Sequence, residues 1–202
     1  KFSALRRILL DEAVLEEGDL MSPEEAPWAE ISLAHHDDYL ERLKTGGLGR
    51  GEERRLGLPW SPALVRRSRL AVGGTMLAAW QSLEDGVSGN LAGGTHHACP
   101  DHGEGFCVLN DVAIAIRVLQ REEEIRRALI IDLDVHQGNA NALCFADDES
   151  VFTFSMHGAR NFPMRKPPSD LDVPLPDHCG DLEYLALLER HLGDAIDRSR
   201  PD

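Results

Sequence analysis

The chain is short of cysteine, aromatic residues and positive charge, and it has no long apolar run. The four cysteines, Cys99, Cys107, Cys144 and Cys179, never fall in C-x-x-C spacing. That excludes a disulfide scaffold or a zinc finger and makes a reducing cytoplasm the expected compartment. With six Phe, three Trp and two Tyr, the core must come mainly from Leu, Val, Ile and Ala. Lys and Arg number 21 against 35 Asp and Glu, a net charge of −14. This excludes broad binding to a phosphate backbone, so no direct nucleic-acid partner is expected. The negative field suits a cationic partner, or simply solubility. No apolar run approaches the ~20 residues that span a bilayer. The N-terminal Lys1-Phe2-Ser3-Ala4-Leu5-Arg6-Arg7 leads into an amphipathic pattern rather than a signal peptide, and no membrane partner is expected.

The 202 residues suffice for one domain with a real core. Phe2, Leu5, Ile8, Leu9 and Val14 predict a helix over 1–17, and Ser22-Pro23-Glu24-Glu25 reads as a helix start. His35-His36 reads as a solvated helix end, and the glycines and charges of 46–59 as an exposed loop. A long helix is predicted over 62–84, where Gly73-Gly74 either weakens it or marks close packing. A second helix, capped by Asn110 or Asp111, runs to Arg121. Residues 128–134 read as a buried strand, 139–146 as a short helix and 151–155 as another strand. A Pro-rich loop over 158–180 and an amphipathic helix over 181–199 follow. Strands alternating with helices predict an α/β fold with a mainly parallel sheet. In such sheets sites form at the carboxyl ends of strands, and His96-His97, Asp134-x-His136 and Ser155-x-His157 are each expected just after an apolar strand.

The run Ala128–Ile131 gives way to Asp132-Leu133-Asp134-Val135-His136. In an extended chain the two acids and the imidazole share one face, with Leu133 and Val135 on the other. Charges at the end of a buried strand are costly unless they are paired or a cation sits among them. Alone, the pattern suits a capping Asp beside a surface His as well as a metal site, and His96-His97 alone suits a pair of loop histidines. Zinc accepts carboxylate oxygen and histidine nitrogen, and a catalytic zinc uses three protein ligands plus water. Asp134 and His136 would supply two. The paired histidines could shuttle protons if Asp132 and Asn139 fix their tautomers.

Taken together, Gly93-Gly94-Thr95-His96-His97-Ala98, Gly105-Phe106-Cys107-Val108-Leu109-Asn110-Asp111 and Ile131 through Asn139 resemble the histone deacetylase family, most closely its bacterial acetoin-utilisation-type branch. Ser155-Met156-His157-Gly158 and the run Arg165–Pro176 fit the same branch. The resemblance implies a three-layer arginase/deacetylase-like α/β fold, with a mainly parallel sheet and helices on both faces. It also implies hydrolysis of acyl-amide bonds with one zinc. It makes Asp134 and His136 zinc ligands and His97 the general base that activates the water and then protonates the amine. His96 becomes its electrostatic partner, with Asp132 paired to His96 and Asn139 to His97. Phe106 and Phe162 would wall an acyl-lysine tunnel, and the Gly105 carbonyl would hold the substrate amide. A structural potassium would take Asp132, Asp134, His136, Ser155 and Met156; a second would lie near Phe145, Asp148 and Val151.

The family's third zinc ligand, an Asp on a later strand, and its oxyanion-stabilising Tyr have no match here. The chain therefore reads as a single deacetylase-like domain, 1–202, shortened at both ends and a partial version of the fold. The function expected from the resemblance is zinc-dependent deacylation of acetyl-lysine or acylpolyamine amines, and a homo-oligomer is compatible with it. The alternative is a truncated or degenerate domain that binds an acylated ligand or protein partner without turnover. An arginase-like dimanganese hydrolase would need more carboxylates at the strand ends, and His96-His97 argues against it.

Overall fold

The structure, a computed structural model, describes residues 2–202. Helices dominate the first half: α1 (Phe2–Asp11), α2 (Trp28–Ile31), α3 (Asp37–Thr45), α4 (Arg50–Leu56), α5 (Pro62–Asp85) and α6 (Asp111–Arg121). The second half alternates strand and helix: β1 (Ala128–Asp132), α7 (Asn139–Cys144), β2 (Val151–Gly158), β3 (Leu171–Leu175) and α8 (Asp181–Ser199). The three strands are parallel, in the order β1-β2-β3. No described helix is long and apolar enough to cross a membrane.

The pleat of the central strand separates the layers. Phe154 and Met156 of β2 pack with Val173, Leu175 and Ala195 under α8. Val151 points the other way and packs with Ile130, Phe145 and Ala113 of α6. Helices therefore cover both faces, as a parallel sheet requires. On the α6 side the register aligns Asp132, Ser155 and Asp172 across the three strands. The polar row thus lies at the carboxyl end, where the strands stop. Beyond it a helical core gathers Ile31, Tyr39, Leu40, Leu43, Leu56, Val72, Leu109 and Ile114.

Helix α5 shows how local sequence sets an element. Ser61 accepts a hydrogen bond from the Leu64 amide at 3.1 Å, Pro62 occupies the first turn, and Gly86 ends the helix in the left-handed conformation. Gly73 lets the chain at Glu24 lie directly on the helix. A Cβ there would stand 1.9 Å from the Glu24 carbonyl oxygen. This contact also corrects the reading of Ser22-Pro23 as a helix start. That segment runs along α5, joined by the Ala26 amide to the Arg69 carbonyl at 3.0 Å, and the next helix begins only at Trp28.

Other expectations are corrected in the same way. The first helix stops at Asp11, and Ala13 turns left-handed at φ 53°. The loop over 46–59 contains α4, whose entry is fixed by Glu52 accepting the Gly49 amide and whose Leu56 is buried. Residues 90–98 form turns, not a strand. The loop over 158–180 contains β3, masked in the sequence by Pro174. That proline is tolerated because β3 is an edge strand. His35 is no solvated helix end: it is buried, and its Nε2 accepts the Asn110 amide at 2.9 Å.

Two predictions follow from this packing. Gly73→Ala is expected to lower Tm markedly, because backbone must move to admit one methyl group. Gly193→Ala, within α8 and with open space around its Cβ, is expected to raise stability by about 0.5–1 kcal/mol. Thermal unfolding of the two variants checks both signs. The second prediction concerns His35, whose burial pushes its pKa down to about 4. The unfolded chain, with a histidine pKa of about 6.5, then binds more protons than the fold between these values. This stability is intact above about pH 6.5 and lost as pH falls through about 4. Urea midpoints measured across that window should fall less steeply for His35→Gln than for the parent chain.

Candidate active site

The site begins with a buried carboxylate. Asp111, the first residue of α6, is fully buried. One oxygen accepts the Thr95 amide at 2.7 Å and lies 2.5 Å from the Thr95 hydroxyl. The other accepts the Gly94 amide at 2.9 Å and the Thr75 hydroxyl. The helix N-terminus adds its own partial positive charge. These contacts pin the Gly94-Thr95 turn and so aim the next two residues, His96 and His97. From the sequence alone Asp111 is expected only as a helix cap. The available signal was an acid just inside a helix whose next residues are apolar, since such a carboxylate needs donors. The N-cap itself is Asn110, whose side chain accepts the Ala113 amide at 2.9 Å.

The two histidine rings lie with centroids 4.0 Å apart and planes tilted by 34°, and each is held by a different partner. His96 Nδ1 lies 2.6 Å from Asp132 Oδ2 at the end of β1. His97 Nδ1 lies 2.6 Å from Asn139 Oδ1 at the start of α7. As Asn139 Oδ1 only accepts, Nδ1 of His97 carries the proton and Nε2 is left free. Burial opposes charge on His96, but the hydrogen bond and charge of Asp132, with Asp134 and Asp111 behind, outweigh it and raise its pKa. For His97 burial dominates, the charges of His96 and His136 add to it, and the pKa falls to about 4. His97 is therefore a neutral base at pH 7, with a readily protonated neighbour. Burial pushes the nearby Cys99 and Cys107 thiols up to about 12 and about 11, so without a bound cation both stay protonated at neutral pH.

Past Asp132 the chain does not stay extended, so the expected one-face ladder is replaced by two turns. Asp132 Oδ1 accepts the Asp134 amide at 3.1 Å, and Asp134 Oδ1 accepts the His136 amide at 2.8 Å. Short acidic side chains compete here with strand pairing. Leu133 and Val135 end up exposed rather than on a buried face. The turns bring Asp134 Oδ1 within 3.1 Å of His136 Nδ1, and both side chains are about half exposed, at 51% and 44%. Two donors on one tetrahedral zinc, each ~2.0–2.1 Å from the metal, sit roughly 3.3 Å apart. The donor types and spacing thus fit two of a zinc ion's ligands. Among the described residues, no third His, Cys, Asp or Glu donor closes around this pair.

The remaining expected residues fall in three places. Ser155 lies beside Asp132 on β2, and its hydroxyl is 3.0 Å from His157 Nδ1; Met156 points to the opposite face, under α8. Phe145, Asp148 and Val151 form a separate turn, where Arg117 pairs with Asp148 at 2.5 Å and lies over the Phe145 ring. Phe162 meets the His97 ring edge-on at 4.9 Å and faces His136 at 6.2 Å. Gly105, left-handed at φ 56°, passes so close to His97 that a Cβ would stand 2.7 Å from its ring. Phe106 is 69% exposed and its ring lies against Gly57. Gln137 carries no signal of its role in the sequence. Its buried amide donates to the Pro167 carbonyl at 2.7 Å and to Asp172 at 2.9 Å, tying the turn to the 163–170 loop.

One consequence concerns Asn139. An Asp in its place would add a negative charge 2.6 Å from His97 Nδ1 and stabilise the imidazolium. Asn139→Asp is expected to raise the His97 pKa by about 1 unit or more. The neutral fraction at any pH below neutrality then falls. An NMR titration of the imidazole nitrogens reads the shift directly, and an unchanged midpoint would contradict the assignment.

Comparison with known proteins agrees with this architecture. The histone deacetylase domain model matches residues 1–202. An uncharacterized protein of Picosynechococcus is 46% identical over 202 residues, covering all of this chain and 67% of the relative. The acetoin utilization protein AcuC of Bacillus subtilis is 36% identical over 152 residues, covering 70% of this chain and 39% of AcuC. A solved HDAC homolog from Aquifex aeolicus superposes with a TM-score of 0.80 at 29% identity, covering 94% of this chain and 57% of the homolog. An HDAC homolog complexed with SAHA gives 0.77 at 29% identity, over 92% of this chain and 55% of that one. The chain is thus shorter than these relatives, and it belongs to the histone deacetylase domain family.

Proposed function

We propose that the protein is part of a zinc-dependent amidohydrolase that removes acyl groups from lysine-like or polyamine-like amines. The observation that carries this reading is the paired arrangement His96–Asp132 and His97–Asn139, set beside the converging donors Asp134 and His136. Family membership and the solved relative complexed with SAHA support it.

In this reading Asp134 and His136 contribute to holding zinc, which when bound polarises the amide carbonyl and acidifies water. His97 takes the proton of the attacking water on its free Nε2 and returns it to the amine nitrogen as the C–N bond breaks. The products are a carboxylate and an amine. His96, held by Asp132, supplies positive charge beside the developing oxyanion. Phe162 offers an apolar wall for the methylene stem of the amine, and Gly105 and Phe106 border its approach. The net charge of −14 favours amines with further positive charges. Potassium would be held by the end of β1 and by Ser155, with Asp148 as a second position. Because the described donors give zinc two ligands, binding of an acylated amine without turnover is the second reading.

The test is metal-dependent deacetylation of an acetyl-lysine reporter, performed on the chain extended to the length of its relatives. Chelation should abolish turnover, and His97→Ala should reduce it by about 10²–10⁴. Full activity in His97→Ala would remove this mechanism. Binding of the reporter with no turnover at any zinc concentration would select the second reading.

A further inference from the structure

A second group of metal donors lies on the loop that follows the paired histidines. Cys99 Sγ, His102 and Glu104 each present one ligand atom, and these atoms all lie within 4.8 Å of one another. His102 Nδ1 is 2.6 Å from Asp101 Oδ1, which turns Nε2 toward Glu104 Oε2 at 3.9 Å. A carboxylate that orients a histidine so that its far nitrogen meets a metal is a recurring outer-shell arrangement. The loop is braced before any ion arrives. The Pro100 carbonyl accepts the His36 amide at 2.8 Å, and Glu104 and Cys107 exchange backbone hydrogen bonds at 3.1 and 2.8 Å.

From this geometry we infer that Cys99, His102 and Glu104 form a second cation site, distinct from Asp134 and His136 and suited to zinc. A thiolate, an imidazole and a carboxylate are borderline-soft donors that zinc accepts and that magnesium and calcium do not favour. Binding requires contraction of the His102–Glu104 separation to roughly 3.3 Å, within reach of a rotamer adjustment. It also displaces the Cys99 thiol proton, as coordination by a thiol does. The three donors line a cavity of about 560 Å³ shared with Asn139, Phe162, Arg165 and Lys166. A fourth position can therefore open toward solvent, and the two cations across it suit water or an anionic ligand there. Glu104 Oε2 also accepts the Asn139 amide at 3.4 Å, so an ion here would sit one residue away from the partner of His97.

The inference does not depend on the proposed hydrolase activity and is tested without it. The reduced chain is titrated with cobalt(II), and the near-ultraviolet thiolate-to-cobalt charge-transfer band is followed. The Asp134 and His136 pair contains no thiol, so only a cysteine site can give this band. A band that saturates near one equivalent, is displaced by zinc, disappears in Cys99→Ser and persists in both Cys107→Ser and Asp134→Asn is the expected result. His102→Gln should weaken cobalt affinity by at least about 10-fold with circular dichroism unchanged, and Asp101→Asn by about 10–100-fold. No band in the parent chain, or a band that survives in Cys99→Ser or keeps its affinity in folded His102→Gln, overturns the inference.

Discussion

The two oxygens of Asp132 connect what would otherwise be separate parts of the site. One holds His96 Nδ1 at 2.6 Å; the other accepts the Asp134 amide at 3.1 Å and starts the turns that carry Asp134 and His136. The carboxylate is placed by its position as the last residue of β1, paired in register with Ser155. Histidine loop, donor turn and sheet are thus referred to a single side chain. Its burial matters too, since a hydrogen bond to a charged group is stronger when water is kept away. If Asp132 moved by one residue along the strand, it would point to the α8 face and lose all three relations.

Asp111 does for the histidine loop what Asp132 does for the strand. It is a buried carboxylate satisfied by amides, hydroxyls and a helix terminus. Buried carboxylates of this kind are tolerated only when every lone pair is used, so they also specify one local conformation. The loop 94–97 has no regular secondary structure to hold it, and the carboxylate substitutes for a ladder. The expected strand before His96 is absent, yet the histidines still arrive at the strand ends.

Much of this was legible in the sequence because it depends on spacing. The strand at 128–132, the helices at 62–85, 111–121 and 181–199 and the parallel sheet all follow from periodicity and caps. The partners of the two histidines, Asp132 and Asn139, were also readable, as tautomer-fixing groups must be short polar residues nearby in the fold. What was not legible depends on contacts between distant segments. Ser22-Pro23 has a helix-start composition yet lies extended on α5, because Gly73 permits an approach that no local rule encodes. His35 looked solvated because its acceptor role needs the Asn110 amide, 75 residues away. The ladder after Asp132 failed for a local reason instead: alternation presumes continued strand pairing, and two Asp side chains captured the backbone first.

The choice of Asn at position 139 has a consequence for how the two histidines divide their work. Their rings lie 4.0 Å apart, tilted by 34°, and both feel Asp134, so identical partners would push them toward the same charge state. A carboxylate on His96 and an amide on His97 break that symmetry. The carboxylate favours charge on His96, while burial and the like charge of His96 disfavour it on His97. In the proposed hydrolase this would supply a proton acceptor and a positive electrostatic partner from one residue type at adjacent positions. The asymmetry combines burial, which weighs most on His97, with the difference between an Asp partner on one ring and an Asn partner on the other.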